Sequence, residues 1–537
     1  MSSNFNRWLP ILPVLSGIFA AIAYPPSPMA WLIWISFIPL LVFILREQSK
    51  KRLVLWGGAG GFIYGAIIMR WVFSVLPLDW LPGIAEYIGL IGALFYWSVT
   101  ATIIGAGWGI YAALAAYGMR HFSSPAPRLL TLTLPWILAE YFWATALSVV
   151  WAGSGTPIGP HWTFGSLADI LPAFPLLLPI LAIGGPFLGS AFIILVNALI
   201  MHIYVHIFVV QSRALHILRI ASVCMLVFGL FLTAFYLQGS GAKSDTIAVA
   251  VLPGDFPSSQ AIPGEYTKEQ IGAWERLYAQ ASAAAEEHAP DIFVFPEGIG
   301  LTLRNPLFAP ALVNSLRVKE KPLLVIDSGV RNIQQATPRL EVLYLDADNG
   351  LIGSHGKTLL VPYGEYLPAV SKLLLAALGA GEVEETLSQF RFYAPGAKKA
   401  YPVSWNNTPF GTLPCSGVFS ASLYRGLARD GAEILVNTAS HTPFHHDPAF
   451  AAQVTAKAQV QAAALDRPFL QAANNGTSLI IDKKGTILSS TNQSGGALTA
   501  EILPSRAKTP YSRFGNWPVS AVLLLYGGIF ARNLTKK

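Results

Sequence analysis

Charge is what this chain has least of. Asp, Glu, Lys and Arg make up 12% of its 537 residues, about half the share of an ordinary soluble protein. Cysteine is nearly absent as well, with two in all, which excludes a disulfide framework. Cys224 lies in an apolar run and reads as an inert small hydrophobe, whereas Cys415 has polar neighbours. There are no CxxC pairs, glycine-rich phosphate loops, internal repeats or low-complexity tracts. Those absences leave no motif for a nucleotide, a cofactor or a structural metal. Acidic residues are fewer than basic ones, giving a net charge of +7. The excess sits in short loops and at the termini rather than in a groove, so it reads as membrane orientation, with no nucleic acid as partner.

Apolar residues are abundant at 53%, and they fall in two regimes. Residues 1–240 contain long apolar runs, near 9–24, 30–46, 53–69, 86–118, 129–150, 171–206 and 217–238. The fourth and sixth exceed the ~20–25 residues of a simple span and are expected to tilt, break or carry interfacial turns. An eighth, near 517–530, is short for a span. With a cytoplasmic amino terminus, one face holds Arg7, Arg46, Lys50, Lys51, Arg52, Arg120, Arg128, Arg213, Arg219, Arg532, Lys536 and Lys537. The short loops of the other face hold only Arg70. The positive-inside rule then predicts seven spans, an outward-facing polar domain and a last span returning the tail. Expected boundaries are 1–242 for the transmembrane domain, 243–508 for the polar domain and 509–537 for the last helix and tail. Glu140 is an acid inside the fifth span, read either as functional or as a polar contact between helices. Trp8, Trp31, Trp71, Trp80, Trp151 and Trp517 near segment ends read as interfacial anchors.

From Thr246 the pattern changes to short β-branched runs (TIAVAVL, DIFVFP, PLLVIDS, EVLYLDA, EILVNTA, PFLQAA and TSLIID), bounded by Gly, Pro, Asn or Asp. A helix over about 267–288 opens with a Thr267-x-x-Gln270 capping box, and an Ala-rich helix covers about 448–465. Alternating strands and helices predict an α/β layered domain with a mixed sheet. In such folds reactive groups gather beyond the carboxyl ends of strands. Glu297, Lys357 and Cys415 each follow a strand-like run. A thiol nucleophile needs a base for its proton and a cation for the anion that develops on the substrate. One residue is available for each role. His441, His445 and His446 cluster locally, a weak metal signal better read as a surface or lid loop.

A glutamate, a lysine and a cysteine at strand ends resemble the catalytic set of the nitrilase (carbon–nitrogen hydrolase) superfamily. The segment Lys357-Thr-Leu-Leu-Val-Pro-Tyr-Gly-Glu365-Tyr-Leu-Pro is similar to the K-x-x-L-V-P-F-G-E-Y-x-P signature of the apolipoprotein N-acyltransferase family. Phe295-Pro296-Glu297, Arg467-Pro468, Asn474-Asn475-Gly476 and the segment Thr509–Pro518 resemble further family motifs, as do Ala23-Tyr24-Pro25 and Trp136 with Glu140. The resemblance implies an αββα nitrilase-like domain outside the cytoplasm, on a polytopic α-helical bundle in a bacterial inner membrane, with both termini cytoplasmic. It implies an enzyme without cofactor or metal that moves an acyl chain from a phospholipid donor, through a Cys thioester, to the N-terminal diacylglyceryl-cysteine of a lipoprotein. Cys415 would be the nucleophile, Glu297 the general base and Lys357 the oxyanion stabiliser. Glu365, Tyr363, Asn474 and Asn475 would support the site or the substrate.

The chain also departs from that pattern. The family's C-Y-E reads Cys415-Ser416-Gly417 here, and its N-D-x-W-F-G loop reads Asn437-Thr-Ala-Ser-His441. The helix before Arg467 shows Gln459, Gln461 and Ala464 in place of the usual Arg and Glu, and Leu252-Pro253-Gly254 replaces Q-G-N. Alternative expectations are therefore a diverged amidase or acyltransferase with another acceptor, or a catalytically inactive envelope scaffold.

Overall fold

The computed structural model describes residues 8–78, 85–122, 124–153, 155–204, 229, 245–257, 267–300, 302, 309–331, 338–389 and 393–534. The apolar half forms α1 (Ile11–Ala23), α2 (Ile38–Arg46), α3 (Lys50–Ile68), α4 (Glu86–Met119), α5 (Pro125–Thr133), α6 (Pro135–Val150) and α7 (Leu181–Tyr204). Four stretches, Lys50–Val75, Glu86–Met119, Pro127–Val150 and Pro175–Tyr204, are long and apolar enough to cross a membrane; Ile11–Ala23, Ala30–Arg46 and Trp517–Arg532 are shorter. The expected seventh segment, 217–238 with Cys224, lies outside the described residues apart from Gly229.

The two long segments resolve differently. α4 runs unbroken for 34 residues, about 50 Å at the usual rise. The sixth is broken by its prolines: two 3₁₀ turns, Leu167–Ala173 and Pro175–Ile180, precede α7, which kinks at Gly184 and Gly185. Small residues set the α3–α4 approach, since a β-carbon on Gly61 would overlap the Trp108 ring and one on Gly105 would meet Gly58 O at 2.7 Å. Glu140 accepts hydrogen bonds from Trp136 Nε1 (3.0 Å) and from Ser166 Oγ. The intramembrane acid thus ties α6 to the segment leading into α7. Trp71 and Trp151 correct the interfacial expectation, being buried in the bundle core, where Trp151 stacks on Tyr96. Residue 80 lies outside the described residues.

The polar half holds β1 (Ile247–Val251), β2 (Ile292–Val294), β3 (Leu324–Arg331), β4 (Arg339–Asp346), β5 (Gly350–Gly356), β6 (Val403–Trp405), β7 (Thr408–Thr412), β8 (Ile434–Ser440), β9 (Phe469–Asn474), β10 (Ser478–Ile481), β11 (Ile487–Thr491) and β12 (Leu498–Ile502). They form two six-stranded sheets, ordered β12-β1-β2-β3-β4-β5 and β11-β10-β9-β8-β7-β6. Each is mixed: β1–β2–β3 and β7–β8–β9 run parallel, and the outer pairings are antiparallel. Val249, Val251, Ile326 and Tyr344 of one sheet pack on Phe410, Val436, Leu470 and Ile480 of the other. Helices cover the outer faces. α8 (Lys268–His288), with its capping box in place, buries Ala273, Leu277 and Ala281 against Phe293 and Val325. α9 (Ala421–Arg429) and α10 (Pro448–Leu465) cover the second sheet, where Leu427, Val454, Ala458 and Leu465 share one core with Phe469, Leu479 and the apolar bundle. α11 (Trp517–Leu534) closes on α6 and α7 through Val519, Val522 and Tyr526. The layering is αββα, and its second helical layer is continuous with the bundle.

Candidate active site

Three strand ends carry the candidate residues. Glu297 lies just past β2, Lys357 follows β5 directly and Cys415 lies just past β7. The Glu297 amide donates to Ala439 O of β8 (3.2 Å), so the glutamate's loop in one sheet is fastened to the other. Lys357 Nζ donates to Glu297 Oε1 (2.9 Å) and to Glu365 Oε1 (2.6 Å), with Lys357 1% and Glu297 4% exposed. Glu365 Oε2 accepts from the Val361 amide (2.8 Å), which folds the turn back onto the lysine. Two of the three ammonium hydrogens are thus spent on carboxylates, leaving one for a substrate oxygen.

Cys415 occupies the left-handed region at φ +39, a conformation that costs of order 1 kcal/mol or more and persists only where the surroundings impose it. They do so on several sides. Asn437 Nδ2 donates to Leu413 O (2.6 Å) and Cys415 O (3.2 Å), and Ser416 Oγ donates to Leu359 O, two residues past Lys357. The sulfur lies 3.6 Å from Ser440 O. Burial pushes the Cys415 thiol up to about 12; the Glu297 charge adds to the rise and the Lys357 charge opposes it. Burial also raises the Glu297 carboxyl above its ordinary range, although Lys357 pulls it back and a hydrogen bond with Cys415 favours the carboxylate. For Lys357, burial disfavours the charge, but the carboxylates of Glu297 and Glu365 outweigh it and hold the ammonium well above its usual range. The resting state is a neutral thiol beside a carboxylate and a fixed cation. Chemically this suits a thiol that loses its proton as it attacks, not a standing thiolate.

The other expected residues stand further out. Tyr363, at φ +65, hydrogen-bonds Ser371 and packs edge-on to Tyr96 and Trp151 of the bundle. The side-chain amides of Asn474 and Asn475 both donate to Phe256 O and Thr442 Oγ1, bracing two loops. His441 alone departs from the surface-loop expectation, being buried against Phe450, whereas His445 and His446 are exposed as expected and His445 Nδ1 meets Ser74 O at 2.6 Å. No grouping fit to hold a metal ion occurs among the described residues. Ser416 and Gly417, which the sequence shows only as departures, shape the Cys415 turn. A β-carbon on Gly417 would overlap Leu413 Cβ. Restoring the missing acid as Gly417→Glu is therefore expected to lower the melting temperature and activity, at about 1–3 kcal/mol of overpacking. A thermal melt beside an activity assay checks this.

Residues 259–509 match the family model described as "Carbon-nitrogen hydrolase". Over 97% of its length the chain is 25% identical to a Gloeobacter violaceus protein named apolipoprotein N-acyltransferase, covering 95% of that protein. A Geobacter metallireducens protein of the same name is 26% identical over 94% of this chain and 91% of its own. Among solved structures, a carbon–nitrogen hydrolase from Helicobacter pylori G27 aligns with 52% of this chain and 95% of its own, at 15% identity and a TM-score of 0.36. Residues 259–509 of this chain thus resemble a carbon–nitrogen hydrolase domain, beside a helical bundle with four stretches long and apolar enough to cross a membrane.

Proposed function

We propose that this protein is an N-acyltransferase that takes an acyl chain from a phospholipid onto Cys415 and delivers it to the N-terminal amine of a diacylglyceryl-cysteine lipoprotein. The observation that carries the reading is the buried Glu297–Lys357–Glu365 cluster around the Cys415 thiol, in a domain whose helical layer is continuous with the apolar bundle. In the first half-reaction Glu297 takes the thiol proton as sulfur attacks the ester carbonyl. The free Lys357 hydrogen meets the oxyanion, the C–O bond breaks, and Glu297 returns its proton to the departing lysophospholipid alkoxide. In the second, the lipoprotein amine attacks the thioester, Glu297 takes the amine proton, the C–S bond breaks and the thiolate recovers a proton. Tyr363, Asn474 and Asn475 hold the walls of the site.

Location supports the same reading. Helix Ala369–Ala377, four residues past Glu365, leaves Leu373 and Leu374 exposed, as is Leu378 just beyond it. Its first amide bonds Ala152 O at the end of α6. Such an apolar surface beside the site suits contact with lipid. An acyl chain resists extraction by ~0.8 kcal/mol per methylene, so a site at the bilayer avoids much of that cost. The positive-inside pattern supports a periplasmic domain with both termini in the cytoplasm.

The pH dependence follows from these groups. Activity needs Glu297 ionised, and its carboxyl is raised. Acylation is therefore expected to rise with pH through a point above the ordinary carboxylate value of ~4.3. With Lys357 held protonated far into the alkaline range, no loss is expected up to about pH 10. A single-turnover profile checks both limbs. The function itself is tested by incubating the purified protein with phospholipid and a synthetic diacylglyceryl lipopeptide. An amide-linked third chain supports the proposal. Release of free fatty acid alone makes water the acceptor and contradicts it.

A further inference from the structure

Among the described residues two lysines are buried, Lys357 and Lys457, and the second is outside the chemistry above. Lys457 lies mid-way along α10, and its ammonium reaches across to the bundle side. It donates to Asp169 Oδ2 (2.8 Å), to Thr163 O (2.7 Å) and to Thr163 Oγ1 (3.1 Å). Lys457 and Asp169 are each 2% exposed, and Tyr24 OH at the end of α1 donates to the same carboxylate oxygen (2.6 Å). Thr163 passes the contact on: its hydroxyl donates to Phe419 O (2.8 Å), the last residue of the 3₁₀ turn Cys415–Phe419. The Lys457 ammonium also lies 5.8 Å from the Phe419 ring. One helical turn on, Gln461 Nε2 reaches Val418 O at 3.4 Å.

We infer that Lys457 is a positioning residue for the nucleophile: through Asp169 and Thr163 it fixes the far end of the Cys415 turn to the bundle. The near end is held by Asn437 and Ser416, so a left-handed Cys415 is clamped from both sides. A buried ion pair is a poor device for stability alone, because apolar replacements are often as stable. It is a specific one, since its three acceptors admit a single arrangement. The inference rests on Cys415 being the reactive thiol, as proposed above, but not on what acyl donor it meets.

The test separates position from stability. In a Cys224→Ser background, Lys457→Met with Asp169→Asn removes both charges together and avoids an orphaned ion. Thr163→Val leaves the Lys457–Asp169 pair intact and removes the hydroxyl that joins Lys457 to Phe419, leaving only the long bond from the Thr163 amide to Phe419 O (3.4 Å). Cys415 alkylation by iodoacetamide is followed across pH, beside thermal melts. For each variant whose melt stays near the parent's, alkylation at pH 8 is expected to fall by about tenfold to 100-fold, with the pH profile displaced. An unchanged rate and profile in Thr163→Val, or in the folded double variant, overturns the inference. Alkylation needs no lipid, so a parent protein whose Cys415 alkylates but accepts no acyl chain defeats the proposed function and leaves this inference standing.

Discussion

Lys357→Met is expected to slow acylation of Cys415 by a factor on the order of 10³. Loss of one oxyanion donor accounts for roughly 10²–10³ of this. The remainder comes from Glu297. Without the ammonium at 2.9 Å from Glu297 and 2.6 Å from Glu365, the carboxyls lose the charge that opposes their repulsion. Burial and like charge then raise Glu297 further, so less base is available at neutral pH. The pH profile of the variant is expected to move to the alkaline side as the rate falls. A variant that lost only its donor would fall without moving. Breaking the buried cluster also costs roughly 3–5 kcal/mol of stability, so the melt is recorded alongside. Lys357→Arg is not expected to rescue, because a planar fork does not reproduce a point charge held by two carboxylates in a closed site.

Glu297→Gln is the second large effect, and its signature differs. Lys357 keeps Glu365 as a partner, so the fold should persist. A thiol pushed up to about 12 is ionised in only about one molecule in ten thousand at pH 8. Removing its base is expected to cost ~10³–10⁴ in acylation. The lost negative charge also stops raising the thiol, since the Glu297 charge is among the causes of its rise. The variant should therefore recover about tenfold per pH unit as hydroxide generates the thiolate directly. Single-turnover rates between pH 7 and 10 read this slope. A flat profile would show that Glu297 is not the base.

Much of this was legible in the chain, for reasons that can be named. The Thr267–Gln270 box and the helix at Pro448–Leu465 are local signals, and both appear in the structure. Glu297, Lys357 and Cys415 stood out because polar residues after short apolar runs mark strand ends. β6, β11 and β12 were not foreseen; sequences such as VSW, ILSST and LTAEI are short, with too little alternation to read. Periodicity also cannot place partners far apart in sequence. Lys457 and Asp169 are 288 residues apart, and each alone reads as an ordinary polar residue. The fit of glycine at 417 likewise depends on where Leu413 lies, which only the fold decides.

The central claim is that one sulfur atom carries the acyl chain between donor and acceptor. The purified full-length protein, incubated with phospholipid and no acceptor, is examined by intact mass and peptide mapping. One fatty acyl group on Cys415, removed by hydroxylamine and missing from Cys415→Ala, is the predicted result. A folded protein that transfers acyl chains while Cys415 stays unmodified, or that transfers them equally well as Cys415→Ala, contradicts it.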